Sequence, residues 1–218
     1  MTTTLAPIHE LQRLPSPAPA PQALACDGPH LWMGSRDTER IYAIDIHTGV
    51  VTEEQTAPGK PWGAVVVGDE LRVTIGEGPD DDRYIRRYIL GHGFKNNDKI
   101  ACPEFTGSYL GYDGRSLYMS QFYKGLILKL DATGAVTQTI DVGAHVCGFT
   151  FADGELYALR GDEKTCDWRI AHVALGGTEP VITDLATLSF QCRSLTYDGS
   201  RFWTNDREAA TLVAFARP

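Results

Sequence analysis

No stretch of the sequence approaches the roughly 18 consecutive apolar residues that a membrane-spanning helix needs. Basic residues are outnumbered, 20 Lys and Arg against 28 Asp and Glu, for a formal net charge of −8. Nucleic acid and anionic membrane both call for a basic footprint, so neither is expected as a partner. Cysteines are few: Cys26, Cys102, Cys147, Cys166 and Cys192 make an odd set without a CxxC pair. That argues against a zinc ribbon and against a disulfide-stapled secreted scaffold. The N-terminal MTTTLAPIHELQRLPSPAPAP lacks a basic segment followed by an apolar one, so no secretion signal is expected and a cytoplasmic location is. Apolar residues at helical spacing are missing after residue 20, as are GxSxG, P-loop and dinucleotide-binding fingerprints.

What is present is a β-rich repeat. Hydrophobic content of 43% over 218 residues suits one folded unit spanning 1–218. The clearest copy is FTGSYLGYDGRSLYMSQFYKGLILKLDATGAV, residues 105–136. Short alternating segments there are separated by Asp113-Gly114 and by Asp131-Ala132-Thr133-Gly134, as half-buried strands joined by tight turns would be. Its core, a turn with Asp or Gly followed by an apolar-led strand, recurs. The other copies are Asp27-Gly28 before Leu31-Trp32, Gly68-Asp69-Glu70-Leu71, Asp153-Gly154-Glu155-Leu156-Tyr157 and Asp198-Gly199 before Phe202-Trp203. Leu31, Leu71, Leu117, Leu156 and Phe202 stand 39 to 46 residues apart, the period of a propeller blade.

The expected fold is all-β: a five-bladed β-propeller of four-stranded antiparallel blades at about 22–57, 60–103, 105–142, 145–188 and 190–218. The fifth copy stops after its third strand, which would leave an unpaired edge. Residues 8–14 are therefore expected to supply the missing outer strand and close the ring, with the Pro-rich 15–21 as an extended link. The competing expectation is a disordered or helical tail.

The blade Ser194-Leu195-Thr196-Tyr197-Asp198-Gly199-Ser200-Arg201-Phe202-Trp203, and the recurring Asp-Gly turn before Leu-Trp or Leu-Tyr, resemble the propellers that include streptogramin lyase, NHL-type repeats and the glutamine-cyclotransferase-like proteins. The resemblance rests on blade-building motifs and therefore speaks to fold. Likeness to streptogramin lyase implies a magnesium-assisted elimination using a His and acidic ligands. A divalent metal is thus the one cofactor this reading admits, although no residues here match those ligands position by position.

In a propeller the inner strand of each blade lines a channel, and the loops at one end of the ring form its mouth. Counting back from each Asp-Gly turn puts Trp62, Ser108, Cys147, Cys192 and Arg193 there. Loops after the second strands add Arg36, Glu77, Arg160 and Asp206. Trp62 is an aromatic that the other blades do not repeat and is assigned to packing on a ligand, whereas Trp32, Tyr118, Tyr157 and Trp203 recur and are assigned to packing between blades. Arg160 and Arg193 are assigned to holding negative charge, with Asp162, Glu163 and Asp206 as alternative internal partners. His145 and Glu77 are the candidate proton-transfer groups. Cys147 and Cys192 are candidates for a thiol pair, a soft-metal site or a nucleophile with a resolving partner, against the plainer reading of small apolar fillers. The cluster Asp80-Asp81-Asp82 with Arg83, Arg86 and Arg87 reads as a solvated loop entering a strand.

These residues support a protein that binds, and through lyase- or hydrolase-type chemistry transforms, a small polar or anionic molecule at the channel mouth. The alternative is a non-catalytic protein-interaction scaffold using the same face.

Overall fold

The computed structural model describes residues 5–177 and 179–218, which form twenty strands and two short 3₁₀ turns. Strand β1 (Glu10–Pro15) precedes the first Asp-Gly turn. Strands β2–β5 (Pro21–Cys26, His30–Ser35, Arg40–Asp45, Val51–Thr56) make blade one, and β6–β9 (Lys60–Val67, Glu70–Glu77, Asp82–Ile89, Gly93–Ala101) blade two. Blade three is β10–β13 (Leu110–Tyr112, Leu117–Gln121, Leu126–Leu130, Val136–Asp141). Blade four is β14–β17 (His145–Ala152, Glu155–Asp162, Asp167–Ala174, Val181–Leu188). The last three strands, β18–β20 (Cys192–Tyr197, Phe202–Asp206, Thr211–Phe215), take β1 as their outer partner, in the order β1-β20-β19-β18. Arg13 pairs with Val213 and Leu14 with Leu212, so the N-terminal strand closes the ring and covers the edge that β20 would expose. The fold is thus an all-β five-bladed propeller.

Burial follows position within a blade. Inner strands such as β2 and β18 are buried along nearly their whole length, because each packs against both neighbouring blades. Outer strands such as β5 and β13 are mostly exposed. The inner strands approach so closely that two positions admit only glycine. A Cβ on Gly63 would lie 2.3 Å from the Ser108 carbonyl oxygen, and one on Gly148 would lie 2.4 Å from the Ser194 carbonyl carbon. Backbone cannot yield as a flexible side chain does, so a methyl group there would push two blades apart.

The recurring Asp-Gly turn has a specific cause. Asp198 Oδ1 accepts the Ser200 and Arg201 backbone N–H groups, while its Oδ2 accepts the Trp203 indole N–H at 2.8 Å. Asp113 does the same for Arg115, Ser116 and the Tyr118 hydroxyl, and Asp27 for His30 and the Trp32 indole. One carboxylate thus closes the turn and orients an aromatic five residues later. Those aromatics then reach the next blade: Trp32 meets Tyr88 at 5.4 Å between ring centres and Tyr118 meets Phe151 at 4.9 Å. Tyr157 likewise meets Phe202 at 5.0 Å. The core therefore sits between blades.

Candidate functional site

At one end of the ring, all five blades contribute to a cavity of about 610 Å³. The segments entering the inner strands supply Gln22, Trp62, Gly107, Ser108, Tyr109, Gln191 and Arg193. Loops between second and third strands supply Arg36, Asp80, Asp81, Gln121 to Lys124, Glu163 and Arg207. Each blade is pinned to its neighbours at the inner strand, so these loops are held on a rigid frame while their sequences differ.

Trp62 is the centre of a three-layer stack. The guanidinium carbon of Arg36 lies 3.6 Å from the ring centre and that of Arg83 lies 3.5 Å from it. Two groups that close to one centre must occupy opposite faces, because on the same face they would collide. Trp62 therefore offers no free face to the cavity, and what it does there runs through the two guanidiniums it holds. Asp81 fastens the stack. Its carboxylate accepts the Trp62 indole N–H at 3.3 Å and Arg83 Nη2 at 2.9 Å, and its carbonyl accepts Arg83 Nε at 2.9 Å. The loop does lead into strand β8 at Asp82 and leaves Asp80 exposed, as expected, but it also brings Asp80, Asp81 and Arg83 to the cavity. Arg83 spans the gap to blade three through the Gly107 carbonyl at 2.8 Å.

On the cavity floor a second unit joins three blades. Gln22, 1% exposed, donates from Nε2 to the Tyr109 hydroxyl at 2.7 Å, and its Oε1 accepts Arg207 Nη1. Tyr109 keeps its own hydroxyl proton to donate, and burial holds its pKa above the usual phenol value. Arg193 donates to the Cys192 carbonyl at 2.8 Å and to Glu163 at 2.5 Å, with its guanidinium beside Phe122 and Trp168.

The arginines are not equally satisfied. Arg83 has Asp81 and Arg193 has Glu163. Among the described residues the Arg207 side chain has only the amide of Gln22, and Asp37 acts on it at longer range. Burial, then the nearby Arg193 charge and more weakly Arg36, lower the Arg207 pKa from its ordinary value, the sign expected of crowded like charges. Arg36 Nε is buried without a hydrogen-bond partner among the described residues. Five cationic side chains against three carboxylates line this cavity, in a chain whose net charge is −8.

Of the residues singled out from the sequence, Arg36, Trp62, Ser108 and Arg193 line this cavity together. The others lie elsewhere. His145 and Arg160 line a second cavity of about 320 Å³, formed by blade four and the link that enters it. His145 packs against the rings of Phe122 and Tyr123, which line the mouth, but does not itself line it. Arg160 is bonded to Asp184 at 2.8 Å and to the Val142 carbonyl. Glu77 is held by Arg86 at 2.6 Å and by Lys99 at 3.2 Å. Asp206 is paired with Arg13 of the closing strand at 2.9 Å, a contact that exists only because β1 completes blade five. Cys147 and Cys192 do face one another across adjacent blades, but both are fully buried. Burial, reinforced by the Cys147 thiol, pushes the Cys192 thiol well above the usual cysteine value, the opposite of what an attacking thiolate requires. Among the described residues no three His, Cys, Asp or Glu side chains come together as a metal cage.

Sequence reasoning passed over Arg83, Arg207, Tyr109 and Gln22 as ligand groups. Their signal was positional: each lies in a segment assigned to the mouth or next to one.

Comparison with known proteins agrees with the fold. No family model matches the chain, and no curated protein does. Among solved structures the chain is similar to hydrazine synthase of Kuenenia stuttgartiensis, with 15% identity and a TM-score of 0.57 over 88% of this chain, although it spans only 56% of that one. It is similar to glutaminyl cyclase of Myxococcus xanthus, at 13% identity and TM-score 0.53 over 70% of this chain and 92% of that one. Virginiamycin B lyase of Staphylococcus aureus matches at 11% identity and TM-score 0.53, covering 95% of this chain and 99% of that one. At these identities the likeness is one of fold, in line with the resemblance drawn from the blade motifs. The chain also has no helix among its described residues long and apolar enough to cross a membrane.

Proposed function

We propose that the mouth cavity binds a small organic anion. The observation that carries this reading is that Arg36 and Arg207 line the cavity with no carboxylate paired to either among the described residues. A partly buried guanidinium without a counter-charge is costly to hold, and an anion bridging two of them removes that cost through charge-assisted hydrogen bonds. Arg83 and Arg193 shape the seat, Tyr109 offers a hydroxyl donor, and Gln22 fixes Arg207. Titration with benzoate or inorganic phosphate, followed by tryptophan fluorescence and by thermal unfolding, should show saturable binding and a raised melting temperature. The double variant Arg36→Ala, Arg207→Ala should abolish both signals; unchanged signals would exclude this cavity.

Lyase- or hydrolase-type chemistry on that anion is the finer proposal. It needs a proton-transfer group at the ligand, and the carboxylates lining the cavity are Asp80, Asp81 and Glu163. Loss of turnover of a bound ester or β-substituted acid in Glu163→Gln, with binding retained, would support it. The scaffold reading is favoured by Tyr123, 76% exposed, and Phe105, 48% exposed, at the rim. A protein partner displaced by Tyr123→Ser, and indifferent to Arg207→Ala, would favour that reading over a small ligand.

A further inference from the structure

We infer that the ligand is dianionic and carries an apolar body of about the size of an aromatic ring; this rests on the anion-site reading above. The charge follows from pairing. Of the five cations lining the cavity, Arg83 is matched by Asp81, Arg193 by Glu163 and Lys124 by Glu104, which leaves Arg36 and Arg207. Asp80, which lines the cavity, and Asp37, which acts on Arg207 at longer range, are both exposed, where water screens them. A monoanion can bridge the two guanidiniums, but it balances only one of their two positive charges. A phosphate monoester or a dicarboxylate answers both, and each offers the paired oxygens that match a guanidinium fork.

The apolar body follows from the walls. Phe105, Phe122 and Tyr123 line the same cavity as the two arginines. Trp62 has both faces covered by arginine, whereas Tyr123 and Phe105 keep much of their ring area in water. A bare inorganic ion of a few atoms would leave those rings exposed in a space of about 610 Å³, whereas a ring-bearing anion would cover them.

The experiment compares four probes on the full chain by calorimetry: phenyl phosphate, phthalate, benzoate and inorganic phosphate. They are matched for ionic strength at about pH 7.5, where a phosphate monoester is almost fully doubly ionised. At least one of phenyl phosphate and phthalate should bind about tenfold more tightly than benzoate and more tightly than inorganic phosphate, a difference of about 1.4 kcal/mol against benzoate. Which of the two leads distinguishes a phosphate ester from a diacid. Arg207→Ala should bring the dianion down to the affinity of benzoate, and Arg36→Gln serves as the second variant should the first fail to fold. Benzoate equal to both dianions, or inorganic phosphate equal to phenyl phosphate, would overturn the inference while leaving an anion site. Absence of binding by all four probes would remove the anion site itself.

Discussion

At the mouth, Arg36 and Arg207 border open space with no carboxylate paired to either among the described residues, whereas in the cavity on blade four Arg160 and Arg169 both close on Asp184. Arg169 also holds Asp167 at 2.5 Å. The two regions are made of the same residue types, but Arg160, Arg169 and Asp184 sit on neighbouring strands of one blade, whereas Arg36 and Arg207 sit on loops. In the second, charge is matched within the chain, and the resulting network belongs to stability. In the first, positive charge is in surplus on a frame too rigid to collapse onto it, and that surplus marks the ligand site. An arginine near a cavity is therefore a weak hint of function; an arginine there without its acid is a stronger one.

The contrast is testable in order of expected effect. Arg207→Ala should weaken binding of a cavity anion by roughly tenfold to a hundredfold, the span of a charge-assisted hydrogen bond worth about 1.5–3 kcal/mol, measured by calorimetry. Arg160→Ala should leave binding unchanged and destabilise the fold by about 1–2 kcal/mol, because Asp184 and the Val142 carbonyl each lose a donor; chemical denaturation measures it. If Arg160→Ala instead weakens binding, the division between the two cavities fails.

Asp198 belongs with the closed group. Burial raises its carboxyl, but the Trp203 indole and the Arg201 and Ser200 groups outweigh that and bring it to about 2, below the ordinary 3.8. Its folded-state pKa is depressed, so its contribution is complete above about pH 4 and is lost as pH falls through about 2. Asp198→Asn should cost about 1 kcal/mol at neutral pH and flatten the stability profile across that window in acid titrations followed by circular dichroism. The smallest effect is expected for Lys124→Ala. This cation lines the mouth but is exposed and paired with Glu104, so stability should move by less than about 0.5 kcal/mol and anion affinity by about twofold or less.

Much of the architecture was legible because blade-building is local chemistry. Asp198, Gly199 and Trp203 lie within six residues of one another and repeat, so the turn and its anchored aromatic can be read without knowing the neighbours. The need for β1 was also legible, since a fifth copy ending after three strands leaves an edge that some segment must cover. The site was legible only in part. Trp62, Arg36, Ser108 and Arg193 could be placed at the mouth by counting from turns, but counting cannot tell which arginine finds an acid. Arg160 and Arg193 looked alike in sequence, yet one found Asp184 on an outer strand of its own blade while the other found Glu163 at the rim. Arg83 was hidden by the opposite problem, an acidic run that made its loop look solvated.

By itself, then, the sequence determined the number of blades, the turns that build them and the strand that closes the ring, because these depend on residues close together or on an edge that must be paired. Tertiary structure alone decided which charges meet. It stacked Arg36 and Arg83 on the two faces of Trp62, joined Gln22, Tyr109 and Arg207 from three blades, and left two arginines unanswered at the mouth. Electrostatic pairing acts over a few ångströms between loops some forty residues apart in the chain, and no local pattern records it.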